Sequence, residues 1–271
     1  MDAGTGLTIL GSAVGGAKLV EKLLGPTTEY LGEGLKNWTV RRMENVSRVF
    51  SNASKRLGSH LEEPGSVPPK VLKEILDGAS FCDDELAGEY FGGVLASSRS
   101  VVGRDDRGAT WSSLLSRLST YQVRFHYLIY RAIYGRFKGQ DYKFNMDDRP
   151  KLSVLIPFDA LFRSMEFSGA ELNQLTAIIN HALFGLNKED LVDTFLYGDQ
   201  ESLKKRIGRG SEPPATHAVW ITPSALGVEL FLWAHGRGDI SADRMLSTDF
   251  IFPEGIEPCS VVLSREDITP K

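Results

Sequence analysis

Apolar residues return at three- and four-residue steps over most of this chain, the spacing that puts them on one face of a helix. Between residues 28 and 57 the series Leu31, Leu35, Trp38, Met43, Val46, Val49, Phe50, Ala53 and Leu57 predicts a long amphipathic helix. Val71, Leu72, Ile75 and Leu76 predict a second over 70–77, with Pro68 and Pro69 pre-setting its first turn and Gly78 ending it. A third follows Ser80 and the acids Asp83, Asp84 and Glu85, and carries Leu86, Tyr90, Phe91, Val94 and Leu95 inward. Trp111, Leu114, Leu118, Tyr121, Phe125, Leu128 and Ile133 predict one helix over 110–135. Shorter helical patterns occupy 152–164, 169–184 and 188–197. Strand-like content appears only late, at Ala218-Val219-Trp220-Ile221, before Thr222 and Pro223, which are expected to cap and open a helix over 224–235. Residues 250–252 and 260–263 read as short strands.

Gly25-Pro26, the polar loop 58–69 and the polar stretch 136–149 divide this pattern. The expected organisation is an apolar, glycine-rich N-terminal helix over 1–25, a helical core over 26–135, a winged-helix-like module over 150–236 and an extended tail over 237–271. The fold class is therefore mainly α, a multi-helix body with a small winged-helix-like C-terminal module containing a short β-hairpin. Gly88, Gly92 and Gly93 sit inside the third helix, where each costs about 1 kcal/mol against alanine. Close approach of a neighbouring element is the compensation they imply.

Charge changes the picture only locally. A net charge of −4 over 271 residues gives no global attraction to nucleic acid or anionic lipid, so such contacts require patches. Two patches stand out: Arg41, Arg42 and Arg48 on the long helix, beside Trp38, and Lys204, Lys205 and Arg206 just ahead of the strand. Both are candidates for contact with phosphates of a lipid or a nucleic acid, and both are also compatible with a merely solvated helix face. Asp83, Asp84 and Glu85 are read as helix-capping carboxylates, because negative charge at a helix start is stabilised by the dipole and no partner ligand is near in sequence.

Residues 6–24 are nearly bare of charge in their first half, and Leu7, Leu10 and Val14 share a helical face while Gly11 and Gly15 form a small-xxx-small pair. This segment is a candidate membrane or oligomer contact, or a buried helix. Gly11 to Gly16 has phosphate-loop spacing, but Ala17 stands where that loop needs lysine. No secretory signal and no run long enough to span a bilayer is visible, and the two cysteines, Cys82 and Cys259, lie far apart, which together point to a reducing cytoplasm.

No catalytic motif is present, neither a glycine-flanked serine, HExxH, CxxC nor a calcium loop. No catalytic residue, cofactor or metal site is expected. His60 reads as a surface residue, and His126 and His181 fall in apolar helical patterns as core histidines. His217 and His235 flank the Thr-Pro element but lack a third ligand for a metal.

Three stretches in order, NWTVRRMENV at 37–46, PPKVLKEILDGASFCDDELAGEYFGGVLASS at 68–98 and WSSLLSRLSTYQVRFHYLIY at 111–130, resemble the bacterial domain of unknown function 4393 (DUF4393), the Abi-alpha or abortive infection alpha family. The similarity runs over about residues 36–232 and rests on helix-packing positions. It implies a bacterial protein with a helical fold and a role in antiviral defence and phage resistance; the location expected from the cysteines and the missing signal is cytoplasmic, with a peripheral place at the inner membrane left open by the N-terminal segment. The partners it leaves open are a protein, self-association, an anionic membrane or a nucleic acid; no small-molecule substrate is implied.

Overall fold

The computed structural model describes residues 40–207, 213–261 and 263–264. It is mainly helical and separates into two compact units. Of the described residues, the first takes those up to Leu118 together with 232–239 and 250–252, and the second takes the rest. The division therefore falls at 118/119 rather than in the polar stretch 136–149.

In the first unit, α1 (Val40–Leu57) packs chiefly on α3 (Glu85–Ser98), and α2 (Pro69–Ser80) on α4 (Arg107–Arg117). Val46, Val49, Phe50 and Ala53 of α1 are buried, as the three- and four-residue spacing requires. Helix α3 is buried on nearly every side, and its glycines show why. A Cβ on Gly92 would stand 2.6 Å from the Asn52 Cβ, and one on Gly93 would overlap the Ala234 carbonyl oxygen. The first neighbour is fixed to the backbone of α1 and the second is itself backbone, so neither can step aside. Asp84 caps α3 by accepting from the Ala87 N–H at 2.8 Å, as the acidic cluster predicts.

Two boundaries differ from expectation. Helix α2 runs through Gly78 to Ser80, since that glycine is required by packing: a Cβ there would collide with the Ser116 Oγ and meet the Phe91 ring at 2.9 Å. The single helix expected over 110–135 is two, α4 and α5 (Thr120–Phe137). Ser119 starts the second with a capping box, its side chain accepting from the Gln122 N–H while the Gln122 side chain accepts from the Ser119 N–H. Ser119 and Gln122 are the visible signal, masked by an unbroken apolar period.

The second unit is organised on α5, whose Phe125, Tyr127, Leu128, Tyr130 and Phe137 are fully buried. Its sheet is antiparallel and four-stranded, in the order β2-β3-β1-β4, with β1 at Val154–Pro157, β2 at Val192–Gly198, β3 at Ala218–Pro223 and β4 at Leu263–Ser264. Helices α6 (Phe158–Met165), α7 (Gly169–Leu172) and α8 (Leu175–Lys188) lie between β1 and β2 in the chain. The expected short hairpin is thus part of a larger sheet, because β2 and β3 pair while being joined through α9 (Gln200–Ile207) instead of a tight turn. Residues 192–197, read as helical, are strand. Pro223 ends β3, and Ser224 takes the cap position ahead of α10 (Ala225–Ala234) by accepting from the Gly227 N–H at 2.9 Å. In the C-terminal stretch, 250–252 is not strand, and a 3-10 helix spans Ala242–Ser247. Cys259 is buried there, its thiol directed at the Ala160 carbonyl at 3.8 Å.

Candidate functional site

Strand β2 forms one edge of the sheet and mixes buried, half-buried and exposed positions, while β1 and β3 are buried throughout. Phe195 and Tyr197, two residues apart, project to one face, and their rings lie 6.2 Å apart and nearly parallel. Phe184 of α8 meets Phe195 edge-on at 5.1 Å. On the other side Tyr197 approaches Phe158 at 6.2 Å, and Phe158 stacks on Phe162 at 5.3 Å. Phe162 in turn meets Phe167 at 5.9 Å. The rings form a continuous row, and it is open to solvent at the β2 end, where Phe184 is 56% and Tyr197 39% exposed.

Polar side chains of α8 hold this row in place. Asn187 donates through Nδ2 to the carbonyls of Val192 and Asp193, at 3.0 and 2.8 Å, and the Tyr197 hydroxyl donates to Asn180 Oδ1 at 2.8 Å. At the far end the Tyr121 hydroxyl donates to Glu171, which also accepts from the Ser168 side chain and backbone. Those bonds, the Ser168 hydroxyl first, hold the Glu171 carboxyl down at about 2, so it remains an anion. Between 158 and 198 six carboxylates outnumber two cations, Arg163 and Lys188, and two further arginines, Arg124 and Arg149, pair with Glu166 and Asp193 from outside that span.

The charged residues singled out by sequence fall elsewhere. Arg42 lies over the Phe81 ring at 3.9 Å. Arg48 donates to the Cys82 carbonyl at 2.8 Å and to Asn45 Oδ1 at 3.0 Å. Both are half-buried and hold the α2–α3 turn, so this patch is directed largely inward. Arg41 lies in α1, with its side chain outside the described atoms. Lys204, Lys205 and Arg206 are exposed on α9, Lys205 pairing with Glu201 at 2.6 Å. The two patches belong to different units. Leu7, Leu10, Gly11, Val14 and Gly15, and with them the membrane and phosphate-loop readings, lie outside the described residues.

Of the histidines, His126 is core as expected, and its Nε2 stands 3.0 Å from the Gly227 carbonyl. Because a carbonyl only accepts, that nitrogen carries the proton, and burial pushes the ring down to about 3. His181 is not core: it is exposed, with Nε2 2.9 Å from the Ser119 hydroxyl. Among the described residues no group of three His, Cys, Asp or Glu side chains is placed to hold a metal, and no helix is long and apolar enough to cross a membrane.

Sequence reasoning misses the aromatic row. Its one local signal is the alternation Phe195-Leu196-Tyr197, overridden by a helical reading of that stretch. Fold and surface together define a mainly helical protein of two units whose second unit presents aromatic side chains at a sheet edge. No protein-family model, no curated protein and no solved structure matches the chain.

Proposed function

We propose that this chain is a bacterial antiviral defence protein of abortive-infection type, working in the cytoplasm through macromolecular interaction and not catalysis. The observation that carries the interaction part is the second unit's order of elements. Helix α5, strand β1, helices α6 and α8, then β2 and β3 follow one another, with β3 between the other two strands. A winged-helix module has that order, and such modules serve as binding scaffolds for proteins as well as nucleic acids. The defence part rests on the resemblance to the Abi-alpha family over about residues 36–232, strongest over 68–130, a stretch that includes the buried residues of α2 and α3.

A nucleic-acid reading has one observation in its favour. Lys204, Lys205 and Arg206 lie on α9, in the connection that a winged helix uses as its wing. Replacing all three with glutamine should abolish binding of duplex DNA at low salt under that reading and change nothing if the partner is a protein.

Plaque counts of a panel of phages on bacteria expressing the full chain, against bacteria carrying an empty vector, test the defence role. Fewer plaques, accompanied by death of infected cells without a burst, is the expected result. Equal plaque counts across the panel remove the defence reading and leave the interaction reading to stand on the fold alone.

A further inference from the structure

We propose that the segment from Pro253 to β4 is a detachable strap, which lifts from the sheet while the rest of the second unit stays folded and so opens and closes the outer edge of β1. How the segment is attached carries this inference, independently of the defence role. Upstream of it the chain is fixed: the Thr248 carbonyl accepts from the buried Tyr134 hydroxyl at 3.0 Å, and the Thr248 hydroxyl donates to the Arg244 carbonyl at 2.7 Å. From Pro253 to Pro258, by contrast, no residue takes part in a hydrogen bond, an ion pair or a ring contact among the described residues. Most of that stretch is exposed, and Gly255 adopts φ +79 with open space where a side chain would stand.

Beyond this unbonded linker two attachments are described. The Cys259 side chain is buried, its thiol directed at the Ala160 carbonyl of α6, and β4 pairs with β1 at two positions, Val154 with Ser264 and Leu155 with Leu263. On its other side β1 pairs with β3 over all four of its residues, Val154 to Pro157. Losing β4 therefore leaves the longer ladder in place. An element joined to its unit by few bonds through an unbonded linker opens at a lower free energy than the unit as a whole. What it uncovers is a strand acceptor. Val154, Leu155 and Ile156 are buried and apolar, and none of them carries a charge to blunt an edge. With the strap lifted, their outer backbone groups are open to pairing with another extended segment.

Cys259 is a built-in reporter of this motion. In the closed strap burial pushes its thiol up to about 11, so a thiol reagent reaches a reactive sulfur only after the strap lifts. The full chain is treated with such a reagent under native conditions, and labelled Cys259 is told from labelled Cys82 by peptide mass. Cys259 should label about tenfold faster, or more, than the global unfolding equilibrium allows. The rate should respond little to urea below the unfolding transition, since lifting the strap exposes little surface. Tyr130→Phe, which weakens the unit's interior, should leave it unchanged. Amide exchange reads the edge itself: bonds between β1 and β4 should open as fast as Cys259 labels, and those between β1 and β3 only with global unfolding. Labelling that merely keeps pace with global unfolding, climbs steeply with urea or speeds up in Tyr130→Phe would overturn the proposal and make the tail part of the core. Equal protection of the two β1 ladders would do the same. The urea and exchange readings are taken on the parent chain, so they decide the matter even where the variant fails to fold.

Discussion

In the first unit three arginines of α1 turn inward. Arg42 covers Phe81, Arg48 bonds the Cys82 carbonyl, and Arg56, with only 5% of its side chain exposed, pairs with Glu89 at 2.8 Å. In the second unit aromatic side chains do the opposite: Phe184 and Tyr197, residues that would stabilise a core by about 1.5–3 kcal/mol each if fully buried, are exposed, with Phe195 half-buried between them. The first unit is close-packed by small residues and tied by its cations. The second keeps its hydrogen-bond hub inside, at Tyr130; both units expose some large apolar side chains, but the second gathers Phe184 and Tyr197 beside one sheet edge. The contrast teaches that residue class alone does not locate a binding surface in this protein, since the basic helix is structural and the aromatic strand is displayed.

The comparison can be broken first at Gly93. If the first unit depends on backbone approach, Gly93→Ala should destabilise it by about 3 kcal/mol or more, because the added carbon would overlap the Ala234 carbonyl. A urea transition at the parent's midpoint would show that the approach is not required. The hub of the second unit is tested by Tyr130→Phe. The Tyr130 hydroxyl donates to the Leu191 carbonyl at 2.9 Å and accepts from the Ser224 N–H at 3.0 Å. Removing it strands both buried groups and should cost about 1–3 kcal/mol in thermal or chemical unfolding.

His126 sharpens the contrast by pH. Its folded value, about 3, lies below the ordinary 6.5, so the unfolded chain takes up the proton first. Stability attributable to this ring is full above pH 6.5 and falls as pH drops toward 3, by about 1.4 kcal/mol per pH unit. Melting temperatures of the parent between about pH 7 and pH 4 should show that slope, and His126→Gln should flatten it. A parent curve as flat as the variant's would mean the ring is not held neutral. The smallest contrast is between the two basic patches. Arg48→Met should cost about 1–2 kcal/mol through the unpaired Cys82 carbonyl, whereas Lys204→Met should leave the melting curve where it was.

The mainly helical class is legible because apolar period and burial coincide along α1, α2 and α3, and the capping role of Asp84 follows from its place before Leu86. Helix ends are less legible where one residue has two uses. Gly78 looks like a terminator locally but is demanded by Ser116 and Phe91, residues brought near only by the fold. The break at Ser119 is hidden because Leu118 and Tyr121 continue the apolar spacing across two separate helices. Strand β2 reads as helix for a related reason: an edge strand is half-buried, and its mixed pattern lacks the clean alternation of a sheet face. Beyond the alternation Phe195-Leu196-Tyr197, the aromatic row is closed to any reading of spacing, since Phe158, Phe184 and Phe195 come from three elements that meet only after folding.

The seat for Ala234 on Gly93 also orders events during synthesis. A chain leaving the ribosome N-terminus first has α1 to α4 complete long before Trp233, Ala234 and His235 appear, yet those residues belong to the first unit. Ser97 waits for the same segment, donating to the Trp233 carbonyl and accepting from the Gly238 N–H, each at 3.0 Å. The earliest-made helices are therefore among the last to be sealed. Nascent chains stalled at graded lengths should become protease-resistant in this unit only once residue 238 has cleared the exit tunnel.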